Sequence, residues 1–190
     1  MSVEETTVEA PAARGSLLPS ALIAVVFLVV AVVFAKDASW YTIFLTVHIA
    51  FVVVWIGGGL LLTIFGFKAE RSRDPAEMTQ LTKMASFAGE RIFAPAALVV
   101  LAAGVGMVLN VNYSWSQFWI IFGLIAFAST FIIGMGVLSP RARKLDALLQ
   151  TRGPSDPQTL AAISQILLIA RVDMAVLLLV IVDMVTKPFA

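Results

Sequence analysis

IFAPAALVVLAAGVGMVLNVNYSWSQFWIIFGLIAFASTFIIGMGVLSP, residues 92–140, runs for about 49 residues without one charged side chain. Its main interruption is the polar, aromatic cluster Asn110-Val-Asn-Tyr-Ser-Trp-Ser-Gln117. Water-soluble domains do not carry such a run, whereas two membrane-spanning helices joined by a tight turn at the headgroup surface require it. The same hydropathy recurs on either side. Ser16 to Ala35 is uncharged, Ala38 to Phe67 holds a single histidine, and Ile166 to Phe189 is apolar around Arg171, Asp173 and Asp183. Since a helical crossing takes about 20 apolar residues, the pattern predicts five spans, near 17–35, 41–66, 92–111, 117–139 and 164–186. The expected fold is all-α: a five-helix transmembrane domain over 16–190 in an up-down bundle, preceded by a disordered acidic tail over 1–15.

Composition agrees. Hydrophobic residues make up 60% of the chain and charged residues 13%, far from a globular average. A net charge of +1 gives no footprint for nucleic acid. The absence of cysteine excludes disulfides, thiolate metal sites and iron–sulfur clusters, and a single histidine excludes a bis-histidine haem within one chain.

Basic residues set the expected orientation. Lys68, Arg71, Arg73, Lys83 and Arg91 lie in one inter-span segment, and Arg141, Arg143, Lys144 and Arg152 in another, against only Lys36 and Lys187 on the opposite side. The positive-inside rule then makes the basic segments cytoplasmic, the N-terminus cytoplasmic and the C-terminus external, in a bacterial inner membrane. Trp40, Tyr41, Tyr113, Trp115 and Trp119 fall at the outer boundary, where amphipathic rings prefer to sit. The first span has an acidic leader and a long apolar run, so it reads as a retained helix, although Val33-Phe34-Ala35 would suit a signal peptidase.

The basic segments carry helix-start signals. Asp74-Pro75-Ala76-Glu77 offers an acidic N-cap, proline at N1 and glutamate at N3, and Ser155-Asp156-Pro157-Gln158 repeats the pattern. Helix 3 should therefore run from Pro75 to Asn110, with Pro95 kinking it near the inner surface. Helix 4 should continue through Leu145, Leu148 and Leu149 until Gly153-Pro154. Cytoplasmic helical extensions follow from both.

His48 lies about 10 Å from the outer start of helix 2, a depth at which an ionisable group needs a partner or a task. His48, Val52, Trp55 and Gly59 share one helical face, and Gly57-Gly58-Gly59 removes side chains below the histidine. Small residues also gather at Ala97, Gly104 and Gly106 on helix 3, and at Gly123, Gly134 and Gly136 on helix 4. Two readings stand side by side. In one, His48 is the axial ligand of a haem b, with Trp55, Gly58 and Gly59 shaping the pocket and Met107 on the other face. In the other, the histidine is packed, donating to a backbone carbonyl or pairing with Asp183, and the glycines serve close helix packing.

Three further charges lie in the last span. Arg171 is expected to reach the headgroups or to pair with Glu90 or Asp146. Asp173, about 200° round the helix from Arg171, must find a partner on another helix, stay neutral or face a cavity. Asp183 lies near the outer end, and the two carboxylates mark a proton path or helix–helix hydrogen bonds. The methionines, Met78, Met84, Met107, Met135, Met174 and Met184 among them, form no close copper-binding cluster.

The segment from Val47 to Gly59 resembles the first core helix of a group of bacterial membrane proteins. That group comprises the CopD copper-resistance proteins, the HemJ-type protoporphyrinogen oxidases and an uncharacterised family of integral membrane proteins, which looks closest. The resemblance extends over Pro95 and Gly104, Pro140-Arg141, Arg171-Val-Asp173 and Met184-Val-Thr-Lys187-Pro188, covering about residues 41 to 188. It implies haem b at His48, as in the HemJ branch. That branch carries a lysine in a Trp-Leu-His-x-Lys-type helix where Phe118-Trp-Ile-Ile-Phe122-Gly is wholly apolar here, which argues against protoporphyrinogen oxidation. Three functions are therefore expected to compete: haem b in electron transfer or quinol-linked redox chemistry, a cofactor-free accessory subunit of a larger membrane complex or a homo-oligomer, and CopD-like copper or small-solute transport.

Overall fold

The computed structural model describes residues 17–72 and 74–189; the tail expected over 1–15 lies outside the described residues. All regular structure among them is helical, in five continuous helices: α1 (Leu17–Ala35), α2 (Trp40–Ser72), α3 (Pro75–Val111), α4 (Phe118–Arg152) and α5 (Pro157–Thr186). The last four are 33, 37, 35 and 30 residues long and are apolar enough to cross a membrane. The sequence reading counted five crossings; the four helices with membrane length and hydropathy are α2 to α5. Helix α1, 19 residues long, belongs with the segment up to Ala38 to a unit of its own, and residues 39–190 form the second unit.

Local chemistry explains the helix ends. The Asp74 side chain accepts from the Ala76 N–H at 2.8 Å, and Asp156 accepts from Gln158 N–H at 2.9 Å, each just ahead of a proline in the first turn. Glu77 does not close the expected capping box; it accepts instead from the Ser72 hydroxyl at 2.8 Å, tying α3 back to the end of α2. Asn112 ends α3 in the left-handed conformation at φ 56°, which a short amide side chain tolerates, and Gly153 ends α4 at φ 82°. The long extensions exist as expected: α3 at about 1.5 Å per residue is some 55 Å long, well beyond a hydrocarbon core of about 30 Å.

Three of these helices contain π-helical turns, at Val53–Gly57 in α2, Gly89–Phe93 in α3 and Ile133–Leu138 in α4. Two of them immediately precede Pro95 and Pro140. Proline supplies no N–H and its ring crowds the carbonyl four residues back, so the preceding turn widens. At Pro95, where a kink is expected, the structure shows this π turn.

Residues 40–52 of α2 pack along 94–111 of α3, and 118–132 of α4 along the second half of α5. The core is divided among small clusters. Ala69, Met78, Leu145 and Ile163 meet at the end bearing the basic connections, Ile56, Met174 and Leu177 in the middle, and Val108, Trp119 and Ile120 at the far end. Outside them the helices present apolar side chains outward; Leu109, Ile125, Leu179 and Val182 are all more than half exposed. Such faces would be a liability in water and are the normal surface of a protein solvated by lipid. Trp119 departs from the expected aromatic belt. It is buried, edge-on to Tyr113 at 5.3 Å; of the five rings expected there, Trp40 and Trp115 are exposed and Tyr41 and Tyr113 half-buried.

Candidate functional site

His48 is half-buried between α2 and α3, and its Nδ1–H donates to the Val100 carbonyl at 2.8 Å. The bond fixes the tautomer, because a carbonyl only accepts, and leaves the Nε2 lone pair uncommitted among the described residues. The ring lies against Gly104, where an added methyl would come within 3.3 Å of Cε1. Gly106 takes the Phe44 ring in the same way. These two glycines of α3 thus seat side chains of α2, which accounts for the close approach of the pair.

The face expected to unite His48, Trp55 and Gly59 is divided. Trp55 packs edge-on against Phe127 of α4 at 5.8 Å, Gly58 faces Phe93 of α3, and Gly59 faces the Met174 methyl of α5. The π turn at Val53–Gly57 lies between His48 and Gly59, and each residue it adds rotates the downstream face by about 100°. Met107 is half-buried on α3, three residues beyond Gly104.

The charges of α5 find partners that the sequence did not indicate. Arg171 pairs with Glu70, not with Glu90 or Asp146, and its guanidinium lies 4.1 Å from the centroid of the Phe67 ring. Glu90 instead accepts from the Ser139 hydroxyl at 2.8 Å and lies 3.6 Å from Arg143. Asp173 faces a half-enclosed cavity of about 220 Å³ among α2, α3, α4 and α5, which Arg171 and Trp55 also line. Its Oδ1 and the Arg171 Nε are buried without a hydrogen-bond partner among the described residues. Asp183 is buried near the far end, likewise with neither carboxylate oxygen partnered, whereas the His48 ring is bonded to Val100. Among the described residues no three His, Asp or Glu side chains gather around a common point fit for a metal ion. Sequence reasoning missed Glu70 because it ended the second span at residue 66, whereas α2 continues to Ser72. The missed π turns had a signal in Pro95 and Pro140.

No curated protein and no solved structure matches the chain. Residues 42–188, most of the chain and all but the edges of the four long helices, match the family described as predicted integral membrane protein (DUF2269), and the chain belongs to that family.

Proposed function

We propose that this integral membrane protein resides in the bacterial inner membrane with its basic connections in the cytoplasm, that α1 forms a fifth crossing of an up-down bundle, and that His48 binds haem b for electron transfer or quinol-linked redox chemistry. The observation that carries the haem reading is the Nδ1–H bond to Val100, which orients the ring and leaves Nε2 as the ligand atom. Haem held there would supply one-electron chemistry. The chain's own part is to hold the imidazole in a fixed orientation, and Met107 would be the second residue to hold the group.

The haem reading is tested by a visible spectrum of protein purified from haem-replete cells. A Soret band is expected, and His48→Ala should abolish it while the protein remains folded. Met107→Ala should change spin state or potential alone. If the wild-type protein shows no Soret band and His48→Ala only lowers thermal stability, the histidine is structural. A second reading, a cofactor-free subunit packed in a larger complex or a homo-oligomer, then takes over. It is favoured by the seating of His48 and Phe44 on Gly104 and Gly106, which is close helix packing in its own right.

Orientation has a separate test. Ser114 lies in the exposed connection between α3 and α4, and Ser155 in the exposed connection between α4 and α5. Cysteine at Ser114 should react with an impermeant thiol reagent in intact cells and cysteine at Ser155 should not; the opposite labelling pattern would reverse the orientation.

A further inference from the structure

The three π turns and the cavity belong together. Trp55 from the first, Gly89 and Phe93 from the second, and Gly134 from the third all line it. A π turn spends regular hydrogen bonding to displace one residue, and three helices doing so around a single space is a constructed feature. Two of the lining glycines, Gly89 and Gly134, would meet nothing within 4 Å if they carried a methyl, so they open the space and pack against nothing. Gly104, Gly106 and Gly123, by contrast, are each filled by a neighbouring side chain.

The lining also specifies a ligand. Its surface is mainly apolar, with Trp55, Phe93 and Phe131 providing aromatic walls. Asp173 Oδ1 is a buried acceptor without a donor, and Arg171 Nε a buried donor without an acceptor. Asp173 as a residue stays partly exposed and lines the cavity, so a ligand hydroxyl can donate to its carboxylate. An anionic headgroup finds no free cation in the lining, since Arg171, its basic residue, already pairs with Glu70. Asp173 is 16 residues into α5, about 24 Å from its start, so it lies well inside the apolar helix, where an ionisable group marks a site that a lipid-soluble molecule can reach.

We propose that this cavity is a binding site for a lipid-soluble aromatic molecule with a hydroxyl head, of the quinol type, its hydroxyl donating to Asp173 and its ring held among Trp55, Phe93 and Phe131. The site stands apart from His48. It deepens the redox reading by giving the quinol a place, but binding there does not require haem, and the test reads binding alone.

Decylubiquinol titrated anaerobically into the detergent-purified full chain should quench tryptophan fluorescence saturably, both in the wild type and in His48→Ala. Trp55→Phe should remove most of the quenchable signal. Gly134→Leu puts a bulky side chain where the glycine leaves open space and should weaken binding by about tenfold or more, and Asp173→Asn, which loses a carboxylate acceptor oxygen, by about tenfold. Gly136→Leu, on the same π turn but outside the lining, should bind like the wild type. Quenching that rises linearly without saturation, or an unchanged affinity in Gly134→Leu, overturns the proposal. So does native mass spectrometry showing a phospholipid retained by the wild type and lost from Gly134→Leu, which makes the cavity a lipid site. Saturable quinol binding in protein that has no Soret band would uphold this site while removing the haem reading.

Discussion

Leu145→Ala is expected to destabilise the basic end of the molecule by about 2–5 kcal/mol, among the largest effects of any conservative substitution in the chain. Leu145 is fully buried although it belongs to the most charged stretch of α4, between Lys144 and Asp146. It closes the cluster of Ala69, Met78 and Ile163, so one side chain joins α2, α3, α4 and α5 beyond the apolar spans. Truncation of a fully buried side chain forfeits transfer free energy and leaves a void. Local opening should rise by roughly 30-fold or more. Trypsin would report it, since Arg141, Arg143, Lys144 and Arg152 lie on the same extension; cleavage there should accelerate while the spans stay helical by circular dichroism. Unchanged cleavage would mean that the extension is held by something other than this cluster.

The existence of that extension was legible in the sequence, and its partners were not. Asp74-Pro75 and Asp156-Pro157 announce helix starts because an acidic side chain caps orphan N–H groups and proline lacks the N–H that would be wasted there. Hydropathy likewise marks the spans, since lipid accepts only backbone that is internally bonded. What hydropathy cannot supply is the packed face. A soluble helix reveals it by an apolar stripe, but Leu179 and Val182 of α5 face outward and are as apolar as the buried Leu177. Helical spacing then becomes the sole guide, and the π turn at Val53–Gly57 breaks it between His48 and Gly59. The same limit explains Arg171 and Asp173. Their angular separation on α5 suggests different surroundings, yet both line one cavity, while the long arginine stem carries its guanidinium to Glu70 and over Phe67. At His48 both readings could be drawn from the residue pattern, but nothing in it pointed to Val100, a carbonyl that any residue type would provide.

Glu70→Ala is expected to cost more than the ion pair itself contributes. Both partners are about a quarter exposed, with side-chain accessibilities of 26% for Arg171 and 28% for Glu70, so the pair is neither a surface bridge nor a dry one. Forming it recovers part of the desolvation of two charges; removing only the carboxylate leaves the guanidinium in the same surroundings with the Phe67 ring as its remaining partner. A loss of about 1–3 kcal/mol follows, below the 3–5 kcal/mol typical of fully buried pairs because water still reaches both groups. Arg171→Met should cost less, since it removes the charge that needs a partner and keeps an unbranched apolar side chain over Phe67. The double variant Glu70→Leu with Arg171→Met should recover most of the stability lost in Glu70→Ala, as both desolvation penalties disappear together. Detergent-solubilised protein unfolded by heat or by added SDS gives the comparison. Equal losses for Glu70→Ala and Arg171→Met, summed without recovery in the double variant, would show that the two side chains act independently and that α2 and α5 are joined here by packing alone.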